Sequence, residues 1–257
     1  MKRLLTAAIL APAIAAVVLA APPWLFFIVV VAVALLSFYE YSGMVKAYGY
    51  PAPGPVCYGA GILLLAVPNA DYALVTLLAL VFLTLASGRR DLSVSLPYTA
   101  CCALGLLYVF GTWKCSIGLR SISPWWLFFA LVINWVGDSA AYYGGKRFGR
   151  HKLAPSISPG KTWEGTLASL LVTAILGVLY IRWRFPQYPW VQAVLVCVLA
   201  NAAGQIGDLA ESALKRGAGI KDSGNILPGH GGWLDRVDSS MFSIPAVYWL
   251  FQMPWFR

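Results

Sequence analysis

AVLVCVLANAAGQIGDLAESALKR, Ala193 to Arg216, is the stretch whose reading decides the fold. It begins as an apolar run on the scale of a membrane-spanning helix, which needs about 20 such residues. It then passes into charged residues with no proline to stop it. Continued as one helix, it places Asp208, Glu211, Ser212 and Lys215 on one face, at spacings of three and four. Carboxylates near a membrane core are costly, so they usually face a polar cavity and serve a function. A plain ion pair of Lys215 with Asp208 or Glu211 is the structural alternative.

The rest of the chain fits the same class. Of 257 residues, 60% are hydrophobic and 11% charged, where a soluble domain carries about 25% charged residues. The expected fold is all-α, a polytopic integral membrane protein of about nine transmembrane helices. They enclose a polar cavity facing the cytoplasm. The predicted spans are Leu4–Ala20, Trp24–Tyr41, Val56–Pro68, Tyr72–Ser87, Leu96–Trp113, Pro124–Tyr143, Trp163–Ile181, Trp190–Gly207 and Val237–Met253. The basic start followed by apolar and then small residues resembles a secretory leader. A second apolar segment follows at once after Pro23, so a first membrane helix is expected instead. With the N-terminus inside, 14 of the 19 Lys and Arg residues fall in cytoplasmic segments, the positive-inside pattern. A net charge of +9 suits anionic lipid headgroups. Nucleic-acid binding is disfavoured, because the cations sit in short loops. The five cysteines lack a C-x-x-C pair and read as small buried hydrophobes. One membrane-embedded domain is expected, with N-terminal helices over 1–123 and the chemistry in 124–257.

Five of the ten acidic residues lie between Asp208 and Asp238. The connector after the quoted stretch is glycine-rich and, following Lys215 and Arg216 at the stretch's end, carries Lys221, Asp222, His230, Gly231, Gly232 and Arg236. Glycine permits close approach of a ligand to backbone N–H groups, so the segment reads as a phosphate cradle, although turns need glycine too. Asp235 and Asp238 share a face if the last span starts there. With Asp208 they would hold a hard divalent ion such as Mg2+, which takes one or two carboxylates plus substrate phosphates. A helix dipole alone would also favour them.

Upstream, Asn134 to Gly165 forms a second constellation. Asp138 lies inside a span, and the following loop holds Lys146, Arg147, Arg150 and Lys152. In SPGKTWEG, Ser158 is the expected N-cap, with Pro159 at the first helical position. Lys161 then falls in the first turn, where N–H groups attract phosphate. Pro155 stands where a P-loop needs its first glycine, so that motif is absent. The charges make sense if the cytoplasmic mouth binds a polyphosphate through divalent metal.

SALKRGAGIKDSGNILPGHGGWLDRVD, Ser212 to Asp238, resembles the signature of phosphatidate cytidylyltransferases, the CDP-diacylglycerol synthases. GDSAAYYGGKRFGR and SPGKTWEG are similar to that family's upstream motifs, in the right order. Trp233 departs from the usual aliphatic residue, and Gly160 stands where many members have a second lysine. The resemblance implies transfer of a cytidylyl group from CTP to phosphatidic acid, releasing pyrophosphate, with Mg2+ required. It also implies a homodimer in the bacterial-type inner (plasma) membrane, with its active site on the cytoplasmic side. On this reading Asp208 and Asp235 hold metal, with Asp238 and Asp222 as further ligands. Lys215, Arg216, Lys221 and Arg236 neutralise CTP and pyrophosphate. Lys161, Ser158 and Thr162 bind phosphate, while His230, Gly231 and Gly232 contact phosphate or nucleotide. A CTP-dependent polyprenol or lipid kinase is the nearest alternative, and an ion-coupled transporter a more distant one.

Overall fold

The computed structural model describes residues 2–68, 72–89, 91–226 and 231–256. Asp71, Arg90 and His230 lie outside the described residues. In chain order the helices are α1 (Lys2–Ala20), α2 (Pro23–Ala47), α3 (Pro55–Ala66), α4 (Tyr72–Ser87), α5 (Ser95–Gly105) and α6 (Thr112–Ile122). There follow α7 (Pro124–Phe148), α8 (Trp163–Arg184), α9 (Trp190–Gly217), α10 (Leu234–Val237) and α11 (Ser240–Leu250). A π-helical stretch, Leu106–Gly111, joins α5 to α6. Among the described residues four helical stretches are long and apolar enough to cross a membrane: Pro23–Ala47, Leu92–Ile122, Trp163–Arg184 and Trp190–Gly217. The expectation of an apolar, helical membrane protein holds at that level.

Local chemistry explains where these helices start and stop. Proline opens α2, α3 and α7, in the first turn where its missing N–H costs nothing. The α9 helix ends in a Schellman turn: Gly219 adopts φ +71°, and Ile220 N–H reaches the Lys215 carbonyl at 3.0 Å. Helix continues beyond the predicted span Leu96–Trp113, to Ile122. Lys114 and Arg120, expected in a loop, lie on α6 and cap other helices. Lys114 Nζ donates to the carbonyls of Leu65 (3.1 Å) and Val67 at the end of α3. Arg120 Nε donates to Val18 at 2.8 Å and its Nη2 to Ala21, satisfying carbonyls that α1 leaves unpaired.

Among the described residues the strands form one antiparallel pair, β1 (Lys152–Ala154) and β2 (Ser158–Thr162), with Lys152 opposite Thr162. This corrects the expected cap. Ser158 and Lys161 lie in a strand, and α8 begins later, at Trp163. Thr162 is its N-cap, accepting from Gly165 N–H at 3.1 Å. The pairing draws Pro159 and Lys161 out of the helix. Lys152 Nζ reinforces it on the Pro159 carbonyl at 2.8 Å, and Trp163 N–H donates to His151 O at 3.0 Å.

The tertiary contacts divide the chain into two compact units. The first comprises 1–21, 118–213 and 237–257, and the second 22–117 and 214–236. In the first, α7 and α8 pack over small residues. A Cβ on Gly144 would collide with Ala168, and one on Gly165 would come within 2.7 Å of the Ala141 carbonyl. Gly144 of GDSAAYYGGKRFGR and Gly165 of SPGKTWEG are therefore consumed in helix packing, whereas Gly160 lies on β2 with open space around it. Below them Trp126 stacks on Phe185 at 4.2 Å between centroids, with Tyr188 and Phe251 against it. In the second unit Phe38 packs edge-on to Tyr58 at 4.7 Å and against Phe110 at 5.0 Å.

Candidate active site

The first unit gathers Asp138 from α7, Asp208 from α9 and Asp238 from the turn before α11. They lie close enough to repel one another electrostatically, and Glu211, fully buried on α9, adds to the field at Asp238. Close helix approach puts them there. A Cβ on Gly207 would lie 2.8 Å from the Asp238 carbonyl, and one on Gly204 would strike the Asn134 side chain. Asn134, one turn before Asp138, donates to Ser243 Oγ at 2.7 Å, tying α7 to α11. Lys161, from β2, forms an ion pair with Asp208 at 2.7 Å, both side chains about a quarter exposed. Ser212 Oγ donates to Asp208 Oδ1 at 3.4 Å, which bears out the shared face read from the sequence. Asp208 pairs with Lys161 and, in the second unit, Lys215 pairs with Asp235.

Asp235 and Asp238 do not sit on one helix as predicted. The α10 helix lasts one turn, and Asp238 Oδ1 accepts from the next residue's N–H, Ser239, at 2.7 Å. That local bond competes with helix continuation, and α11 begins only at Ser240.

The second unit holds the glycine-rich connector. Asp235 pairs through Oδ1 with the Lys215 ammonium, both side chains about a tenth exposed or less. Its Oδ2 accepts from Ser223 N–H (3.0 Å) and Gly232 N–H (2.8 Å). Burial pushes the Asp235 carboxyl up, but Lys215 and these two N–H groups outweigh it and hold it below the usual carboxylate range. Gly231 takes φ +78°, and a Cβ there would lie 3.0 Å from Asp235 Oδ2. Lys221, Asp222, Arg216 and Arg236 are exposed on this segment, and Arg216 Nη1 also bonds the Ile220 carbonyl at 3.1 Å.

One residue here had no signal in the sequence reading. Glu40, on α2 and 2% exposed, accepts from Ser223 Oγ (2.8 Å), Trp233 N–H (2.8 Å) and Leu234 N–H (2.7 Å). A Cβ on Gly224 or Gly232 would come within 2.5 Å of its carboxylate oxygens. These connector glycines make room for Glu40. The spacing of 183 residues between Glu40 and Ser223 leaves no local pattern to read.

Comparison with known proteins settles the family. A model described as the cytidylyltransferase family matches residues 1–253. The chain belongs to that family. It is 36% identical over 219 residues to a phosphatidate cytidylyltransferase of Staphylococcus saprophyticus, covering 79% of this chain and 80% of that protein. It is 40% identical over 150 residues to the phosphatidate cytidylyltransferase of Bacillus subtilis, and 42% over 150 residues to that of Staphylococcus aureus. The chain spans little more than half the length of these last two relatives, 56% and 57%.

Within this family a divalent ion is the implied cofactor, and the donor set fits one. Among the described residues no three His, Cys, Asp or Glu side chains stand ready as a complete metal cage. Mg2+ does not need one, because it takes one or two carboxylates and fills its shell with water and substrate phosphate. The crowded Asp138, Asp208 and Asp238 offer hard oxygen donors whose repulsion a cation would relieve.

Proposed function

We propose that this chain transfers the cytidylyl group of CTP to phosphatidic acid, giving CDP-diacylglycerol and pyrophosphate. The relatives' names support the reaction. The observation that carries it is the carboxylate crowd of the first unit, with Lys161 bonded to Asp208 at its edge. In the reaction a phosphatidate oxygen forms a bond to the α-phosphorus of CTP while the bond to the β-phosphate oxygen breaks, and pyrophosphate leaves. Both reactants are anions, so positioning and charge neutralisation are the main tasks. The phosphate monoester has a second pKa of about 6, so no protein base is needed.

Asp208 and Asp238, with Asp138 beside them, are the residues that would hold Mg2+. Bound there, the ion supplies charge neutralisation and orientation of phosphate oxygens. Lys161 is positioned to exchange Asp208 for a substrate phosphate. Ser158 shares its strand, whereas Thr162 is spent as a helix cap. Lys215, Arg216, Lys221 and Arg236 supply cationic charge for the triphosphate and the leaving pyrophosphate, with His230 as a further phosphate contact. Asp222 is an exposed acidic neighbour. Both oxygens of Asp235 are engaged inside the protein, so its role is to fix Lys215 and the loop. The proposed setting is a homodimer in a bacterial-type plasma membrane, with nine spans and its chemistry at the cytoplasmic face.

The test incubates purified protein with labelled CTP and phosphatidate, with and without Mg2+, and follows CDP-lipid and pyrophosphate together. Stoichiometric CDP-lipid and pyrophosphate are expected, with Mg2+ required. Release of CDP with a phosphorylated lipid would make the protein a kinase and overturn the reading.

A further inference from the structure

We propose that Glu40 is a positioning residue, which ties Ser223 to Trp233 and Leu234 and so fixes the two ends of the connector for the reaction. Its carboxylate does for α10 what an N-cap side chain does, but from a different helix: it accepts the N–H groups of Trp233 and Leu234. The same carboxylate takes the hydroxyl of Ser223, at the other end of the connector. Three donors on one buried carboxylate tie the beginning of the loop to its end.

Asp235 makes the complementary tie inside the loop. It accepts from Ser223 N–H and Gly232 N–H, so Ser223 is held by both carboxylates, through its hydroxyl and its amide. Gly224 and Gly232 lie against Glu40 because no side chain fits between. Lys221 lies just before the held loop and Arg236 just after it, two of the cations proposed to meet the triphosphate. Glu40 is buried against its donors and is placed to act through the loop, not on substrate. Charge-assisted bonds of this kind are the stronger class, and losing their anion leaves buried N–H groups poorly paired.

This inference rests on the proposed reaction for its kinetic consequence but not for its structural one. Glu40→Gln keeps the shape and removes the charge. Amide hydrogen exchange in the full-length protein in detergent is expected to speed up at Trp233 and Leu234 by about 10- to 100-fold, the size of one or two charged hydrogen bonds. The α2 amides should be unchanged. KM for CTP should rise by about tenfold or more, with KM for phosphatidate unaltered. Ser223→Ala removes one of the three bonds and should show the same pattern at smaller amplitude. Unchanged exchange at Trp233 and Leu234, exchange raised throughout the chain, or equal effects on both substrates would each overturn the clamp. A wild-type protein inert toward CTP and phosphatidate would overturn the reaction instead, with exchange alone then deciding whether Glu40 holds the loop.

Discussion

In the first unit Asp138, Asp208 and Asp238 press on one another, with Lys161 on Asp208 at their edge. In the second, Glu40 and Asp235 are each surrounded by donors: two N–H groups and a hydroxyl on one, an ammonium and two N–H groups on the other. Both sets are acidic clusters in an apolar protein, but their physics differs. The donor-rich carboxylates are at rest and hold backbone in place. The crowded ones store repulsion, which the folded chain tolerates and a bound cation would lower. Acidity marks both groups alike in the sequence. Only the donors around them separate the two groups.

The sharpest way to break this contrast is to neutralise one member of each set. Asp238→Asn keeps an oxygen for the Ser239 N–H and removes an ionisable carboxyl from the crowd. Turnover should fall by about 10²- to 10³-fold, as when one preorganised electrostatic group is lost. The thermal midpoint in detergent should hold or rise, because like-charge repulsion is relieved. A fall in both would place Asp238 with the scaffold.

Asp235→Asn should do the opposite and couple the two losses. It breaks an ion pair whose side chains are 10% and 8% exposed, a change that costs about 3–5 kcal/mol when one partner remains buried. Thermal stability and turnover should then drop together. The pH dependence follows from the same lock. The folded-state pKa of Asp235 is depressed, so its contribution is fully present above the unfolded value of 3.8 and lost as pH falls through the lower folded value. Loop protection should therefore be flat from about pH 8 to 5 and decline only below about pH 4. A decline near neutrality would mean that the pair is not what holds the loop.

How much of this was legible in the sequence depended on whether the cause was local. The α9 helix was read correctly with its charged face, because 3.6-residue periodicity carries straight through Asp208, Glu211 and Ser212. SPGKTWEG was misread because it contains two valid caps, Ser158 before Pro159 and Thr162 before Glu164. Pairing of Lys152 with Thr162 chose the second, and no rule confined to eight residues sees that partner. Asp235 and Asp238 looked like one helical face because their spacing is right, yet one side-chain bond to Ser239 N–H ends the helix between them. Glu40 was invisible for a simpler reason: it touches residues far along the chain and sits in an otherwise aromatic stretch.

Gly232→Ala tests the claim that the connector glycines serve packing. The added methyl would collide with Ser223 Oγ and lie 2.5 Å from Glu40 Oε2. Overpacking of this kind costs about 1–3 kcal/mol, so the thermal midpoint should fall and proteolysis of the connector should quicken. An alanine variant of unchanged stability would return Gly232 to the phosphate-cradle reading, in which only substrate affinity suffers.

The smallest structural effect is expected at Lys161, and that is what makes it informative. Its ion pair with Asp208 is about a quarter exposed on each side, and pairs of that kind contribute roughly 0–1 kcal/mol. Lys161→Gln should therefore leave the thermal midpoint almost unchanged. Yet if Lys161 trades Asp208 for a substrate phosphate, KM for one phosphate-bearing substrate should rise by about tenfold, the size of one hydrogen bond to a charged group. Lys161→Arg should restore most of it, since the charge is kept. Titrating CTP and phosphatidate separately then tells which anion the lysine receives. If neither KM moves, the lysine only balances Asp208, and the crowd of carboxylates meets its substrate without help from the hairpin.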